Sequence, residues 1–530
     1  MALTERFEGF TIAAALATRA SQDPGMPYLR VADAIVTLGQ VETQAEALAA
    51  SLVNLGIEAG DRVALILPSC PEYVVTLFAV AQIGGVAVPL NPRLTTSELQ
   101  YMLRHSEAVC AVTIEQSRDT DYLHLFEHLM PQLPDLRYLV TVGEEDLWYD
   151  DHIFQFEDLV SAGAGRDFPA RAVAADGAVA LVYTSGTSGK PKGVELSHAN
   201  LIAAAAGTAD AVGLTADDRV VGVTGLFHVF GLGPGLLSSL LAGSSVILLD
   251  ESGADATLDA VERHDATVHY GIPTLFLEEL ESLAERPRDL STLRLALVAG
   301  APIRDELVLR LGRELGVPVI TSYSLTETAS TVSMSSPADP AEVRRFTAGR
   351  PIRGTHIRIV DSDGSELPVE SVGEIGVKGP GVMLGYYRQP RETADSFDDD
   401  GYFLTGDLGL LDEDGCLHLV GRTKDVIIRS GFNVYPREVE ARIESHPAVH
   451  EVGVVGVADP LLGEAICACV VPVEGAIVTG HEIVEWCRET LADAKVPDLV
   501  QFLDELPRTD TGQVRRVELS RRVHAEGQSA

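Results

Sequence analysis

A large N-terminal domain of parallel-rich α/β subdomains with a small antiparallel subdomain, then a small α+β C-terminal domain, is predicted from three features of the sequence. Helical and strand-like patterns alternate through residues 1–175, the rhythm of a mostly parallel α/β sheet. From Phe346 to Val420 the strands become short and are separated by Asp363-Gly364, Asp400-Gly401 and Asp414-Gly415, a signature of antiparallel turns. The 530 residues exceed one hydrophobic core, and strand–helix alternation resumes over His446–Val471 and Glu482–Lys495. The boundary is placed at 421/422, giving domains 1–421 and 422–530.

In chain order, Val41–Leu55 has helical spacing and Asp61–Leu67 (DRVALIL) reads as a buried strand. Glu72–Gly84 is again helical, Gly85–Pro89 a second strand and Thr95–Ser106 a helix. An apolar run ending in Leu181, Val182 and Tyr183 then delivers Thr184, Ser185, Gly186, Thr187, Ser188 and Gly189, followed by Lys190, Pro191, Lys192 and Gly193. Small residues let backbone approach an anion, hydroxyls donate to its oxygens and lysines neutralise its charge. The spacing is not that of the common nucleotide P-loop, and Pro191 prevents a helix from opening on Lys190. A flexible linker of Gly and Ser needs neither the two lysines nor the apolar lead-in.

Further on, His228 sits in GLFHVFG (225–231), where core packing and a place in a pocket are both open readings. Thr267–Thr274 (TVHYGIPT) and Leu293–Pro302 (LRLALVAGAP) read as buried strands ending in glycine-containing turns. Ligands of open parallel sheets bind outside such carboxyl ends. Thr321–Thr328 (TSYSLTET) adds a tyrosine and an acid, the oxygen ligand that a hard divalent cation prefers.

A net charge of −38 argues against nucleic-acid binding. No apolar run reaches the length of a membrane span; Val74–Val88 is interrupted by Gln82 and two glycines. The N-terminus lacks the basic-then-apolar pattern of secretion, and the six cysteines lack paired metal spacing, so a cytoplasmic location is expected. Only five of the 40 basic residues are lysine: Lys190, Lys192, Lys378, Lys424 and Lys495.

TSGTSGKPKG (184–193) resembles, residue for residue, the phosphate loop of the adenylate-forming superfamily of acyl-CoA synthetases, peptide-synthetase adenylation domains and luciferases. VAGAP, TSYSLTET, GEIGVKGPGVMLGYY (373–387), YFLTGDLG (402–409) and GRTKDVIIRSGFNVYPREVE (421–440) extend the resemblance. It implies ATP, Mg²⁺, a carboxylic acid, an acyl-adenylate (the AMP ester of that acid) and coenzyme A. It makes Thr184 through Lys190, and Lys192, the phosphate cradle. Gly300, Ala301 and Pro302 line adenine, Tyr323 stacks on it, Thr326 touches phosphate and Glu327 faces Mg²⁺. His228 gates the acyl pocket, Asp407 and Arg422 hold the ribose, Lys424 is the hinge, and Gly431 lies in the loop beside the thiol tunnel. Ser324 stands where the family usually has Gly.

The family's catalytic lysine closes the pattern Pro-Arg/Lys-Thr-x-x-Gly-Lys. Here ELPRTDTGQVRR (505–516) aligns through Pro507, Arg508, Thr509, Gly512 and Arg516, and the lysine position is Gln513. An uncharged, shorter side chain cannot bridge carboxylate and α-phosphate as an ammonium does. The expectation is an acid–thiol ligase impaired in adenylation, making the coenzyme A thioester of a bulky hydrophobic acid from an adenylate supplied by a separate adenylating enzyme. The alternatives are a complete synthetase with an engineered Lys-to-Gln change, and a non-catalytic nucleotide- or acyl-binding relative. Val229, Gly231, Gly271, Ala299, Gly300 and Leu325 are the candidate pocket lining. A short polar tail follows Gln513, so the thiol is expected to come from a separate molecule.

Overall fold

The structure, a computed structural model, describes the chain apart from residues 118–119, 144–150, 169–171, 185–190, 223–224, 250–252, 302, 304, 431, 460, 509–513 and 528–530. Two compact units form: Met1–His356 with Lys378–Phe397, and Ile357–Val377 with Asp398–Ala530.

In the first unit, strands Arg62–Ile66, Val86–Pro89 and Ala108–Ile114 run parallel within an eight-stranded sheet. The helix predicted over Val41–Leu55 begins earlier, at Leu38, because Thr37 caps it. Its side chain accepts from the Gln40 N–H while the Gln40 side chain accepts from its own. Helix Pro71–Gln82 opens on a proline at its first turn, where the missing N–H costs nothing. Helix Thr96–Ser106 starts with a Thr95–Glu98 capping box and stops at Glu107, whose φ of 52° is left-handed. A second, nine-stranded sheet places Arg219–Val221, Val268–Gly271, Leu295–Val298 and Val319–Leu325 side by side and parallel. Pro27–Val31 joins this sheet against Ser245–Leu248, a pairing between distant segments that local pattern cannot announce.

Helix His198–Val212 (HANLIAAAAGTADAV) is buried on most sides, which small residues allow. His198 is 0% exposed; its Nδ1 accepts the Ile12 N–H at 3.2 Å, and burial pushes its pKa down to about 4. The ring is therefore neutral in the folded chain but binds a proton near pH 6.5 when unfolded. A pKa lowered by folding means that stability is whole above pH 6.5 and falls as pH drops toward 4. Urea unfolding should show a loss of about 2 kcal/mol at pH 5 relative to pH 7.5 from this residue. His198→Asn, which keeps an acceptor for Ile12 but does not titrate, should flatten the profile by that amount.

The second unit holds a four-stranded antiparallel sheet in the order His356–Val360, Gly373–Lys378, Phe403–Leu411, Leu417–Arg422. The predicted Asp-Gly turns are there, with Gly364, Gly401 and Gly415 at φ of 79°, 77° and 75°. A further five-stranded sheet pairs Val449–Asp459 with Gly463–Pro472 along its length. Helices Pro436–Glu444 and Gly480–Arg488 cover it through Val439, Ile443 and Ile483, each 0% exposed. All six cysteines are buried and none is in a disulfide. Among the described residues no helix is long and apolar enough to cross a membrane.

Candidate active site

Strand Ala178–Thr184 pairs antiparallel with Lys192–Ser197, in register Thr184 to Lys192. The apolar lead-in is thus a sheet strand, and Pro191 is followed by the strand Lys192–Ser197. Ser185 through Lys190 lie outside the described residues.

Three neighbouring parallel strands end together, in registers Gly271 to Val298 and Val298 to Thr321. Gly300 and Ala301 follow the middle one. Gly300 has φ of 87°, and a Cβ there would lie 3.2 Å from Ile272 Cγ2, so the turn admits backbone but not a side chain. Pro302 lies outside the described residues. Tyr323, 6% exposed, sits on strand Val319–Leu325, and Thr326 and Glu327 open the tight turn Thr326–Thr328 after it. Ala329 and Ser330 then take φ of 54° and 110°, backbone that L-residues adopt only under constraint and that is common beside reactive groups.

Tyr386 joins these groups although no local pattern singles it out. Its hydroxyl donates to Glu327 Oε1 at 2.9 Å, and Lys192 Nζ lies 4.5 Å from the centre of its ring. Burial, and then the Glu327 charge, push this phenol's pKa upward, so it remains a donor. The nearest signal is GYY at 385–387, in a matched motif that gives no role to any residue in it.

His228 is partly buried; its Nδ1 accepts the Phe230 N–H at 3.2 Å, and burial pushes its pKa down to about 4. The ring is neutral near pH 7 and carries its proton on Nε2, a donor rather than a base. The irregular helix Gly231–Leu237 follows, wound as a π-helix around Pro234; such distortions recur at functional sites. Of the lining candidates, Val229 and Ala299 are buried in protein, at 2% and 0% exposed. A Cβ on Gly271 would stand 2.7 Å from the Phe276 ring.

On the second unit, Asp407 and Arg422 face each other across two antiparallel strands, paired at 2.9 Å. Asp407 is 6% exposed. Lys424 is exposed in the turn Thr423–Asp425, and Arg516 meets Asp425 at 3.3 Å and the Val454 carbonyl at 2.7 Å. Ser430 is left-handed at φ 50° and Phe432 is 61% exposed; Gly431 between them lies outside the described residues. So does Gln513, which immediately precedes Val514, the antiparallel partner of Arg508.

The donor set fits a hard cation beside phosphate. Glu327 supplies carboxylate oxygen at a strand end, and Mg²⁺ is ordinarily held by one or two such groups plus phosphates and water. A cavity of about 310 Å³ lined by Arg62, Val86, Ala178 and Glu195 lies instead at the opposite, N-terminal ends of strands, where open parallel sheets do not bind their substrates.

The sequence pattern of the AMP-binding enzyme family matches residues 16–387, and that of the AMP-binding enzyme C-terminal domain matches residues 438–513. A feruloyl-CoA synthase of Amycolatopsis sp is 36% identical over 95% of this chain and 97% of its own. Among solved structures, ATP-bound MatB from Rhodopseudomonas palustris superposes with a TM-score of 0.85 at 31% identity, covering 96% of this chain and 98% of that one. The o-succinylbenzoate CoA synthetase MenE from Bacillus subtilis, in complex with the acyl-adenylate intermediate OSB-AMP, does so at 0.80 and 31%, covering 95% and 97%. The chain belongs to the AMP-binding enzyme family, as an acyl-CoA ligase of its AMP-forming class.

Proposed function

We propose that this ligase is weighted toward its second half-reaction, forming the coenzyme A thioester of a bulky, mainly hydrophobic acid faster than it forms the adenylate. The observation that carries the reading is Gln513. Its register in ELPRTDTGQVRR is anchored on both sides, and Gln presents no charge to the carboxylate and α-phosphate that must meet.

ATP is taken by Thr184 through Lys190, Lys192, Gly300 through Pro302, Tyr323 and Thr326, with Asp407 and Arg422 on the ribose hydroxyls. Bound at Glu327, Mg²⁺ would offset charge on the phosphate oxygens. In the second step the coenzyme A sulfur bonds to the acyl carbon, the acyl–phosphate C–O bond breaks, AMP leaves with that electron pair and the thiol proton passes to solvent. Gly431 flanks the thiol path, His228 gates the acyl pocket, and the 422–530 domain turns about Lys424 between steps. The feruloyl and succinylbenzoate relatives support an aromatic acid, and six buried cysteines without a disulfide support a reducing, cytoplasmic setting. A separate enzyme would supply the adenylate.

The test compares two rates in the unaltered chain, across a panel of hydrophobic acids and their synthetic adenylates. Thioester formation from adenylate plus coenzyme A should exceed pyrophosphate release from acid plus ATP by at least about 10²-fold, the cost of one missing electrostatic group. Equal rates overturn the proposal.

A further inference from the structure

Segment 379–387 is fastened around Glu327 from several directions. Asn200 Nδ2 donates to the Pro380 and Val382 carbonyls at 2.7 and 2.8 Å. Gly381 packs so close that a Cβ there would lie 2.9 Å from the Thr328 oxygen. The Met383 N–H donates to the Glu327 carbonyl at 2.8 Å. Tyr386 itself pairs with Val194, two residues along the strand from Lys192, and its N–H donates to Thr393 Oγ1 at 2.9 Å. From that anchored backbone its hydroxyl reaches Glu327 Oε1 while its ring face meets the Lys192 ammonium. Packing alone would require neither contact. The two also reinforce each other: a phenol donating to a carboxylate gains electron density in its ring, which strengthens attraction to a cation on its face.

We propose that Tyr386 is a positioning residue, whose hydroxyl aims the Glu327 carboxylate and whose ring seats Lys192, coupling the metal-facing acid to the phosphate-facing lysine. This rests on the reading that Glu327 faces Mg²⁺ and Lys192 faces phosphate. Two substitutions separate the two contacts. Tyr386→Phe keeps the ring and loses the hydroxyl; Tyr386→Leu loses both.

Isothermal titration with ATP is run on each protein with Mg²⁺ and with a chelator. Tyr386→Phe should bind metal-free ATP like the unaltered chain, while the gain in affinity conferred by Mg²⁺ falls about 10-fold. Tyr386→Leu should in addition bind metal-free ATP up to about 10-fold more weakly, because Lys192 loses its seat. Thermal melts of both variants report the fold. Equal losses with and without metal in Tyr386→Phe indicate a merely structural residue and overturn the inference. So does an unchanged Mg²⁺ dependence in that variant. Failure of the unaltered chain to bind ATP under either condition overturns the underlying reading as well, and is distinguishable because it precedes any variant.

Discussion

Gln513→Lys is expected to raise pyrophosphate release from acid plus ATP by about 10²–10³-fold, because one electrostatic stabiliser of a developing charge is worth roughly 3–4 kcal/mol. The rate from preformed adenylate to thioester should change less than about 10-fold, since expulsion of AMP leans on phosphate contacts elsewhere. Several cations of the second unit are already engaged. Lys495 Nζ lies 2.6 Å from Glu438, Arg508 is 2.6 Å from Glu451, and Arg516 meets Glu440. Arg515 is exposed, and its backbone N–H donates to the Pro507 carbonyl at 2.7 Å, a bond that does not involve its guanidinium. Arg508 and Val514, on either side of position 513 in sequence, form an antiparallel bridge. Pyrophosphate release measured for both proteins on the same acid decides the matter. A variant no faster than the unaltered chain would show that position 513 does not limit adenylation here.

Asp407→Ala should weaken ATP and AMP binding by about 10–100-fold in titration, the usual loss of about 1.5–3 kcal/mol when a charged hydrogen-bond partner is removed. The carboxylate is buried and is held by Arg422 directly across the strand pair, so it is oriented before any ligand arrives. Asp407→Asn preserves shape and one acceptor oxygen but not the charge, and should fall between the two. The backbone ladder from Asp407 to Leu411 continues in all three proteins, so thermal melts should move little. Unchanged affinity in a folded Asp407→Ala protein would remove this residue from the ribose.

Helices and strands were legible where one signal dominated. The run Arg62–Ile66 is buried on both faces and reads as apolar without interruption; Thr95 with Glu98 declares a helix start through a local hydrogen-bond exchange. The strings proposed as phosphate loop and adenine turn, and the acid after Tyr323, could be singled out because each is a short run of consecutive residues of particular chemistry. Gln513 belongs with them, as a departure that only the string around it reveals.

What could not be read locally is what distant segments do to one another. The pairing of Pro27–Val31 with Ser245–Leu248 depends on sheet register across the chain, and register is settled by the whole buried face. Burial of His198 against Ile12 sets its pKa, because desolvation is a property of surroundings and not of a motif. Tyr386 is the sharpest case. It lies 59 residues from Glu327, and no spacing rule connects it with either Glu327 or Lys192. The antiparallel pairing at Val194, the capped Asn200 holding two carbonyls and the close approach at Gly381 together bring its hydroxyl to the acid. Residue types for the chemistry are thus a local property of this chain, whereas their mutual aim is a product of close packing between segments that local sequence leaves unrelated.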